Sequence, residues 1–288
     1  MEVIAAQLVN GLSYGLLLFI ITSGLSLIFG IMGVLNLAHG SMYMIGAYIA
    51  FTVTNSFIPS FWLALIIAPI VVGLISLIIE VVLLRTTYQL GHLSQVLMTF
   101  GLAYIFHDLA RWIWGSNPLS VKPPEVLSGS IELFDQTFGL YRLAVIVIGI
   151  IIVIVLWFMQ EKTRWGAIIR AGLIDKEMIT GLGVNIKLVF TLVFVFGGML
   201  AGFGGVVSAP ILGVYPDMEF QILILALVIL VIGGLGSIEG TFVASVLVGL
   251  VETFSRYLIP EVSVFIVYAL MAFVLILKPD GLFGKKVS

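Results

Sequence analysis

Apolar runs long enough to cross a lipid bilayer recur along nearly the whole chain. Nothing else in the sequence restricts its fold as strongly. A spanning helix needs roughly 20 predominantly apolar residues. The segments Ile4–Phe29, Phe61–Leu84, Leu93–Trp114, Leu140–Met159, Leu188–Leu212, Phe220–Ile238, Thr241–Leu258 and Val262–Leu277 meet that requirement. A ninth, Leu35–Thr54, meets it only if its polar start is tolerated. Hydrophobic residues make up 61% of the chain, whereas soluble domains sit near about 45–50% apolar. The expected fold is all-α: one polytopic integral membrane helical bundle over residues 1–288, with about 8–9 transmembrane helices, one of them broken. The first run follows Met1-Glu2 with no basic stretch ahead of it, so it reads as a retained helix and not a cleaved signal peptide.

Lysine and arginine near the span ends set the expected orientation. The segment Gln160–Lys187 carries Lys162, Arg164, Arg170, Lys176 and Lys187, and the C-terminal tail carries Lys278, Lys285 and Lys286. Both are expected on the cytoplasmic side, and the even number of spans between them agrees. Counting back places Arg85 inside, and the N-terminus and the Gly115–Gly139 loop outside. Arg111, Lys122, Arg142 and Arg256 then fall at the outer face, a smaller basic set than the inner one. Trp62, Trp112 and Trp114 at outer ends, with Trp157 and Trp165 near inner ends, fit an aromatic belt. The outer "SNPLSVKPPEVLSGS", rich in proline and serine, reads as irregular surface loop.

The stretch "GVLNLAHGSMYM", Gly33–Met44, interrupts this pattern with polar residues at membrane depth. Glycine at positions 33 and 40 permits backbone that a continuous helix disfavours. Ser41 is the expected N-cap of a helix resuming at Met42. Asn36 and His39 can bond backbone groups that a break sets free, since backbone inside a membrane must find protein or cavity water. Two readings remain open: a structural kink, or a broken helix beside a translocation path.

Small residues recur at four-residue spacing: Gly11 and Gly15; Gly197, Ala201 and Gly205; Gly198 and Gly202; Gly236 and Gly240. Such rows let helix backbones approach closely in lipid, and Gly197–Gly205 could also let one helix slide. Glu252 with Arg256, and Asp108 with Arg111, have the spacing of helical ion pairs. Glu80 is the most intramembrane acid, a functional candidate by position, with Arg85 near enough to neutralise it. His92 and His107 read as interfacial or packing residues.

The inner segment "EKTRWGAIIRAGLIDKEMITGLGVNIK" is longer than a simple connection requires. Ile168, Ile169, Leu173, Ile174 and Met178 recur at roughly helical spacing, with Arg170, Asp175, Lys176 and Glu177 between them. Gly181 and Gly183 supply a stop. This is either an amphipathic helix on the membrane surface or a docking helix for a cytoplasmic partner.

"GIMGVLNLAHGSMYMIGAY" near the start, "RAGLIDKEMITGLGVN" in the inner segment and "GGMLAGFGGVV" after it together resemble the permease subunits of branched-chain amino acid type ABC importers, most of all the LivH-like half of the permease pair. The resemblance covers essentially the whole chain. It implies that the inner loop, about residues 160–187, holds a cytoplasmic coupling helix that sits in a groove of an ATPase subunit. Arg170, Ala171, Asp175, Glu177, Met178, Leu182, Gly183 and Asn185 match the coupling pattern, Trp165 opens the segment, and Ile179 departs from the small residue often found there. The resemblance favours the second reading of the polar stretch and so places Asn36, His39, Gly40, Ser41 and Tyr43 along the substrate pathway.

No catalytic engine is legible. The P-loop pattern and HExxH are missing, and the chain has no cysteine. The three histidines lack ligand spacing, and a net charge of −2 points to no nucleic acid. The resemblance implies a transporter subunit of the bacterial inner membrane, not an enzyme, with no cofactor of its own; ATP and Mg would be held by two separate ATPase chains. It also implies a second, LivM-like permease and an extracytoplasmic substrate-binding protein. The implied substrates are branched-chain or other apolar amino acids, with urea, short amides or aromatic acids as alternatives. An ion-coupled secondary carrier is the rival class; few mid-span acids and an unexplained inner loop weigh against it.

Overall fold

In the computed structural model, described for residues 2–56, 59–133, 136–164, 166–168, 171, 178, 181 and 183–284, nine helices form the body. They are α1 (Glu2–Met32), α2 (His39–Thr54), α3 (Phe61–Ile78, prolonged to Thr87), α4 (His92–Trp114), α5 (Leu140–Lys162), α6 (Ile186–Leu212), α7 (Met218–Gly233), α8 (Ile238–Leu258) and α9 (Ser263–Leu277). Seven, all but α2 and α7, are long and apolar enough to cross a membrane, α9 together with the turn that precedes it. The chain is an integral membrane protein of helical type.

The two remaining helices account for the difference from the expected spans. Each has 16 residues, or about 24 Å of helix, short of a bilayer's hydrocarbon core of about 30 Å. The expected span Phe220–Ile238 ends at Gly233, because Gly234 and Gly236 both adopt positive φ and turn the chain before α8 begins. Helix α2 starts at His39, three residues before the expected restart. Its N-cap is Ala38 with no side-chain bond, and the Ser41 hydroxyl instead reaches the carbonyl of Ala103 at 3.5 Å.

Helices α1 and α6 lie at the centre. The run Leu16–Ile21 is fully buried, as are Phe194, Ala201 and Val206–Val207. The glycine rows explain how two helices come so close. A Cβ at Gly24 would overlap the Gly197 backbone, and one at Gly46 would overlap that of Gly202, the close approach that small residues allow in lipid. Gly11 and Gly15 pack on α8 in the same way. Packing is therefore the visible role of these rows.

A pseudo-twofold relation of opposite sense runs through the bundle, and the sequence shows no repeat to announce it. The contacts Gly24 with Gly197 and Gly204 with Ile21 make α1 and α6 antiparallel. Each long helix ends at a positive-φ glycine, Gly33 (φ 69°) after α1 and Gly213 (φ 76°) after α6. From each, a short non-helical segment doubles back along the helix just completed and starts a half-length helix. Helix α2 runs with α6, since Met42 faces Gly198 and Gly46 faces Gly202. Helix α7 runs with α1, since Gly233 faces Gly240 near the point where Gly236 touches Gly30. Inverted repeats with discontinuous helices at mid-membrane are a transporter architecture.

Helix α5 runs parallel to α1, with Arg142 beside Asn10 and Gly149 against Leu16. The end of α5, the start of α6 and the C-terminal segment Lys278–Gly284 therefore share one end of the bundle. There Leu282 and Phe283 donate to the carbonyls of Ile232 and Gly233 at 2.8 and 3.0 Å. The basic-rich segments thus lie together, as their charges led one to expect. At the opposite end, Ser130–Leu133 and Gln136–Gly139 pair as an antiparallel hairpin, Ile131 opposite Phe138. The proline- and serine-rich stretch 116–130 holds only a single short turn, Glu125–Leu127, before the hairpin, which is anchored by the buried Phe138 ring. Leu119 and Val214 exchange backbone bonds of 2.7 and 2.9 Å, tying this outer segment to the turn after α6.

After Ile78, α3 passes into π-helical turns, Ile79–Leu84, then a last α turn, Arg85–Thr87. The widened turn directs Glu80 fully inward, at 0% exposure. Its carboxylate accepts from Arg85 at 3.1 Å, Thr191 at 2.7 Å and Tyr88 at 2.8 Å. Burial and the bond to this anion both raise the pKa of the Tyr88 phenol, which holds its proton as the donor. Glu80 is a neutralised, structural acid tying α3 to α6.

Candidate functional site

The two half-helices begin at the same place. Gly40, in the first turn of α2, lies against the backbone of Glu219, in the first turn of α7, so closely that a Cβ would overlap the Glu219 carbonyl. One half-helix leaves this point toward the hairpin end of the bundle and the other toward the opposite end. Two helix N-termini, each carrying a partial positive charge, therefore converge deep inside an apolar bundle.

The segment Gly33–Ala38 reaches this junction as irregular chain that closes in a turn at Leu37–Ala38. Its backbone is satisfied from two directions. Asn36 folds back, its Oδ1 accepting from the Ala38 N–H at 3.1 Å, a local Asx turn. Thr99 of α4 accepts from the Leu37 N–H at 3.2 Å and donates toward the Leu35 carbonyl at 3.5 Å. Sequence reasoning anticipated the Asn36 role and missed Thr99, which lies sixty residues away in an ordinary apolar run.

His39 does not serve the break. Its Nε2 lies 2.8 Å from the carbonyl of Ile21, well inside α1. Only the protonated nitrogen can donate there, which leaves Nδ1 buried without a partner among the described residues. Tyr43 packs one turn on, its hydroxyl accepting from Ser208 of α6 at 2.9 Å. Asn36, His39, Gly40, Ser41 and Tyr43 are all buried within the chain. Together they fix where α2 starts and how it seats on α1, α4 and α6. Gly40 is helical here, and its missing side chain admits Glu219 where a special backbone angle had been expected.

The acid and base of the junction lie elsewhere. His107 of α4, expected to be a packing residue, puts Nδ1 2.5 Å from Oε1 of Glu219. Glu219 is 1% exposed, and its second oxygen has no partner among the described residues; the buried hydroxyl of Tyr48 has none either. Asp217, the one non-glycine residue of positive φ among those described, stands 3.9 Å from the other ring nitrogen of His107 with its side chain 70% exposed. The one local trace in the sequence is that "YPDMEF", after the second long helix, puts acids between two apolar runs, without itself joining Glu219 to His107.

An exposed polar strip continues from this junction. Tyr104 of α4 is 49% exposed and packs its ring 5.3 Å from Phe220. Asp108 follows one turn later, exposed, with no ion pair among the described residues. Its expected partner Arg111 instead donates to Ser116 at 3.4 Å. Across on α7, exposed Gln221 accepts from Tyr215 at 2.9 Å. Trp114, expected in an aromatic belt, turns inward, stacks on Tyr48 at 4.8 Å and donates to Thr52 at 2.8 Å. Among the described residues no cluster of three acidic or histidine side chains is placed to hold a metal.

Of the expected coupling residues, Ala171 and Met178 are helical and Met178 is exposed. Gly183 turns with φ 85°, and Asn185 caps α6 by accepting from the Leu188 N–H at 3.2 Å. Trp165, Arg170, Asp175, Glu177 and Leu182 lie outside the described residues.

The family model described as "Branched-chain amino acid transport system / permease component" matches residues 7–275. The high-affinity branched-chain amino acid transport system permease protein LivH of Salmonella typhimurium is 27% identical over 97% of this chain and 95% of its own length. Protein BraD of Pseudomonas aeruginosa, of the same description, matches at 27% with the same coverage. The permease LivM of Escherichia coli matches at 24% over 90% of this chain and 66% of its own length. No solved structure gave a significant match.

Proposed function

The chain belongs to the branched-chain amino acid transport permease family, and from that premise we propose that it is one membrane-spanning half of an ATP-driven importer for branched-chain or other apolar amino acids. A second, LivM-like permease forms the path with it. Two cytoplasmic ATPase chains drive it through the segment 160–187, and an extracytoplasmic binding protein delivers substrate. The N-terminus and the hairpin end face outward, and the basic-rich end faces the cytoplasm. The match to both LivH and LivM supports a paired permease, since one sequence is related to each member of a two-permease system.

The observation that carries the path's location is the exposed polar strip Tyr104, Asp108, Asp217 and Gln221 beside the half-helix junction. Carboxylates facing lipid at membrane depth are costly and are found where protein or water covers them. The partner permease and a water-filled path supply that cover. The buried set Asn36, His39, Gly40, Ser41 and Tyr43 borders the path and holds its wall, with Glu219 and His107 behind the exposed Asp217. Few charges along the remaining wall suit a substrate with an apolar side chain.

Reconstituted vesicles containing the whole assembly test the proposal. Uptake should require ATP and binding protein and should persist when proton and sodium gradients are collapsed. Uptake driven by an ion gradient with no ATPase present would overturn it.

A further inference from the structure

A cavity of about 460 Å³ opens at the hairpin end of the bundle, away from the half-helix junction, between α1, the start of α5, the end of α6 and the end of α8. Its charged lining is Arg142, Arg256 and Glu252. Glu252 is buried and its charge is spent. Arg256 donates to one of its oxygens, and the Tyr14 hydroxyl is a further hydrogen-bond partner of the carboxylate. Arg256 also lies in the last turn of α8, where a helix dipole favours a cation. Arg142 has neither form of relief. Its Nη1 donates to the side-chain oxygen of neutral Asn10, and it has no ion pair among the described residues. It stands in the first turn of α5, where the dipole is positive as well. The site thus carries one uncompensated positive charge, with most of the guanidinium N–H donors still to be met.

We infer that this cavity holds the phosphodiester of an anionic phospholipid. Guanidinium and phosphate form charge-assisted, commonly bidentate hydrogen bonds, and one phosphodiester cancels the one excess charge. Gln7 and Thr253 in the wall add neutral donors. The depth suits a headgroup. Helix α8 has 21 residues, about 31 Å of helix, which matches a hydrocarbon core of about 30 Å. Arg256 at its end, and Arg142 across the cavity, therefore lie at the boundary of that core. The surface leading away from them is apolar and exposed: Leu258 at the end of α8, and Val147, Ile150 and Ile151 down α5. Acyl chains lie on such residues while the phosphate stays at Arg142. A soluble phosphate gains nothing from that surface. A zwitterionic headgroup brings an ammonium up to two guanidiniums, with Glu252 already engaged. The inference stands apart from the import reading, since lipid binding needs neither ATP nor a partner chain.

Native mass spectrometry of the purified full chain in neutral detergent tests the site, with phosphatidylglycerol and phosphatidylcholine of the same acyl chains as probes. Phosphatidylglycerol should bind at least about tenfold more tightly, the worth of one charged hydrogen bond. Arg142→Gln should erase that preference, whereas Arg142→Lys, which keeps the charge but loses the fork, should retain part of it. Thr253→Trp fills the cavity without removing a charge and should erase the preference too. Each variant's thermal transition in phosphatidylcholine separates loss of the site from loss of the fold; should Arg142→Gln fail to fold, Thr253→Trp decides. Glycerol 3-phosphate and inorganic phosphate should leave the bound lipid in place at about tenfold excess. Equal binding of the two lipids, or an undiminished preference in folded Arg142→Gln or Thr253→Trp, would overturn the inference. Displacement of the lipid by inorganic phosphate would make this a soluble-anion site and overturn the lipid assignment.

Discussion

Gly40 and Glu219, from opposite halves of the chain, touch backbone to side-chain position where the two half-helices begin. The contact leaves no room for a methyl group. Gly40→Val should therefore push α2 and α7 apart. Overpacking a tight core costs about 1–3 kcal/mol, so thermal unfolding in detergent should shift clearly downward. An unshifted transition would mean the two helices do not meet as described.

His107 and Glu219 form a buried pair at 2.5 Å. Removing one member of such a pair costs about 3–5 kcal/mol, because the other is left buried and unmatched. His107→Leu or Glu219→Leu alone should be strongly destabilising. The double variant should recover much of the loss, and a double-variant cycle on unfolding midpoints measures it. Additive losses would show that the pair does not interact.

Asn36 and Asp108 should separate holding from lining. Asn36→Ala removes the bond to the Ala38 N–H and should cost about 1–3 kcal/mol of stability. Asp108 is exposed and has no ion pair among the described residues, so in Asp108→Asn stability should stay within about 0.5 kcal/mol while uptake by the reconstituted assembly falls. Unchanged uptake in Asp108→Asn would take the path away from this face.

Asp175 and Glu177 carry the acidic part of the proposed coupling segment. The double change Asp175→Ala with Glu177→Ala should leave ATP hydrolysis running while uptake is lost. Wild-type uptake would remove the coupling assignment.

Spans were legible because length and apolarity suffice to identify them, and the basic clusters were correctly read as sharing one end. The break at Gly33 was legible because polar residues at membrane depth have few innocent explanations. Its satisfaction by Thr99 was not, since that bond joins residues from different helices and leaves no local pattern. The start of α2 was misplaced for a related reason: Ser41 is a good capping residue, but its hydroxyl was taken by Ala103. The same logic hid the junction's acid. His107 and Glu219 are far apart in sequence, and only the fold-back after Leu212 brings them together. Asp108 and Arg111 had the right spacing for a pair, yet Arg111 found Ser116 instead.

The π-helical turns Ile79–Leu84 bear on how the chain tolerates changes in length. A π turn absorbs an extra residue while leaving the helix on either side in phase. Dropping one residue there, such as the exposed Val82, should tighten the turn to ordinary α-helix without rotating Arg85 away from Thr191. A one-residue gap at this point in a homologue thus signals a closed bulge within an otherwise unmoved span. A gap of the same size inside Gly197–Gly205 would turn the glycine face off its neighbours by about 100°. Of the two sites, only the first offers the lineage a place to gain or lose a codon.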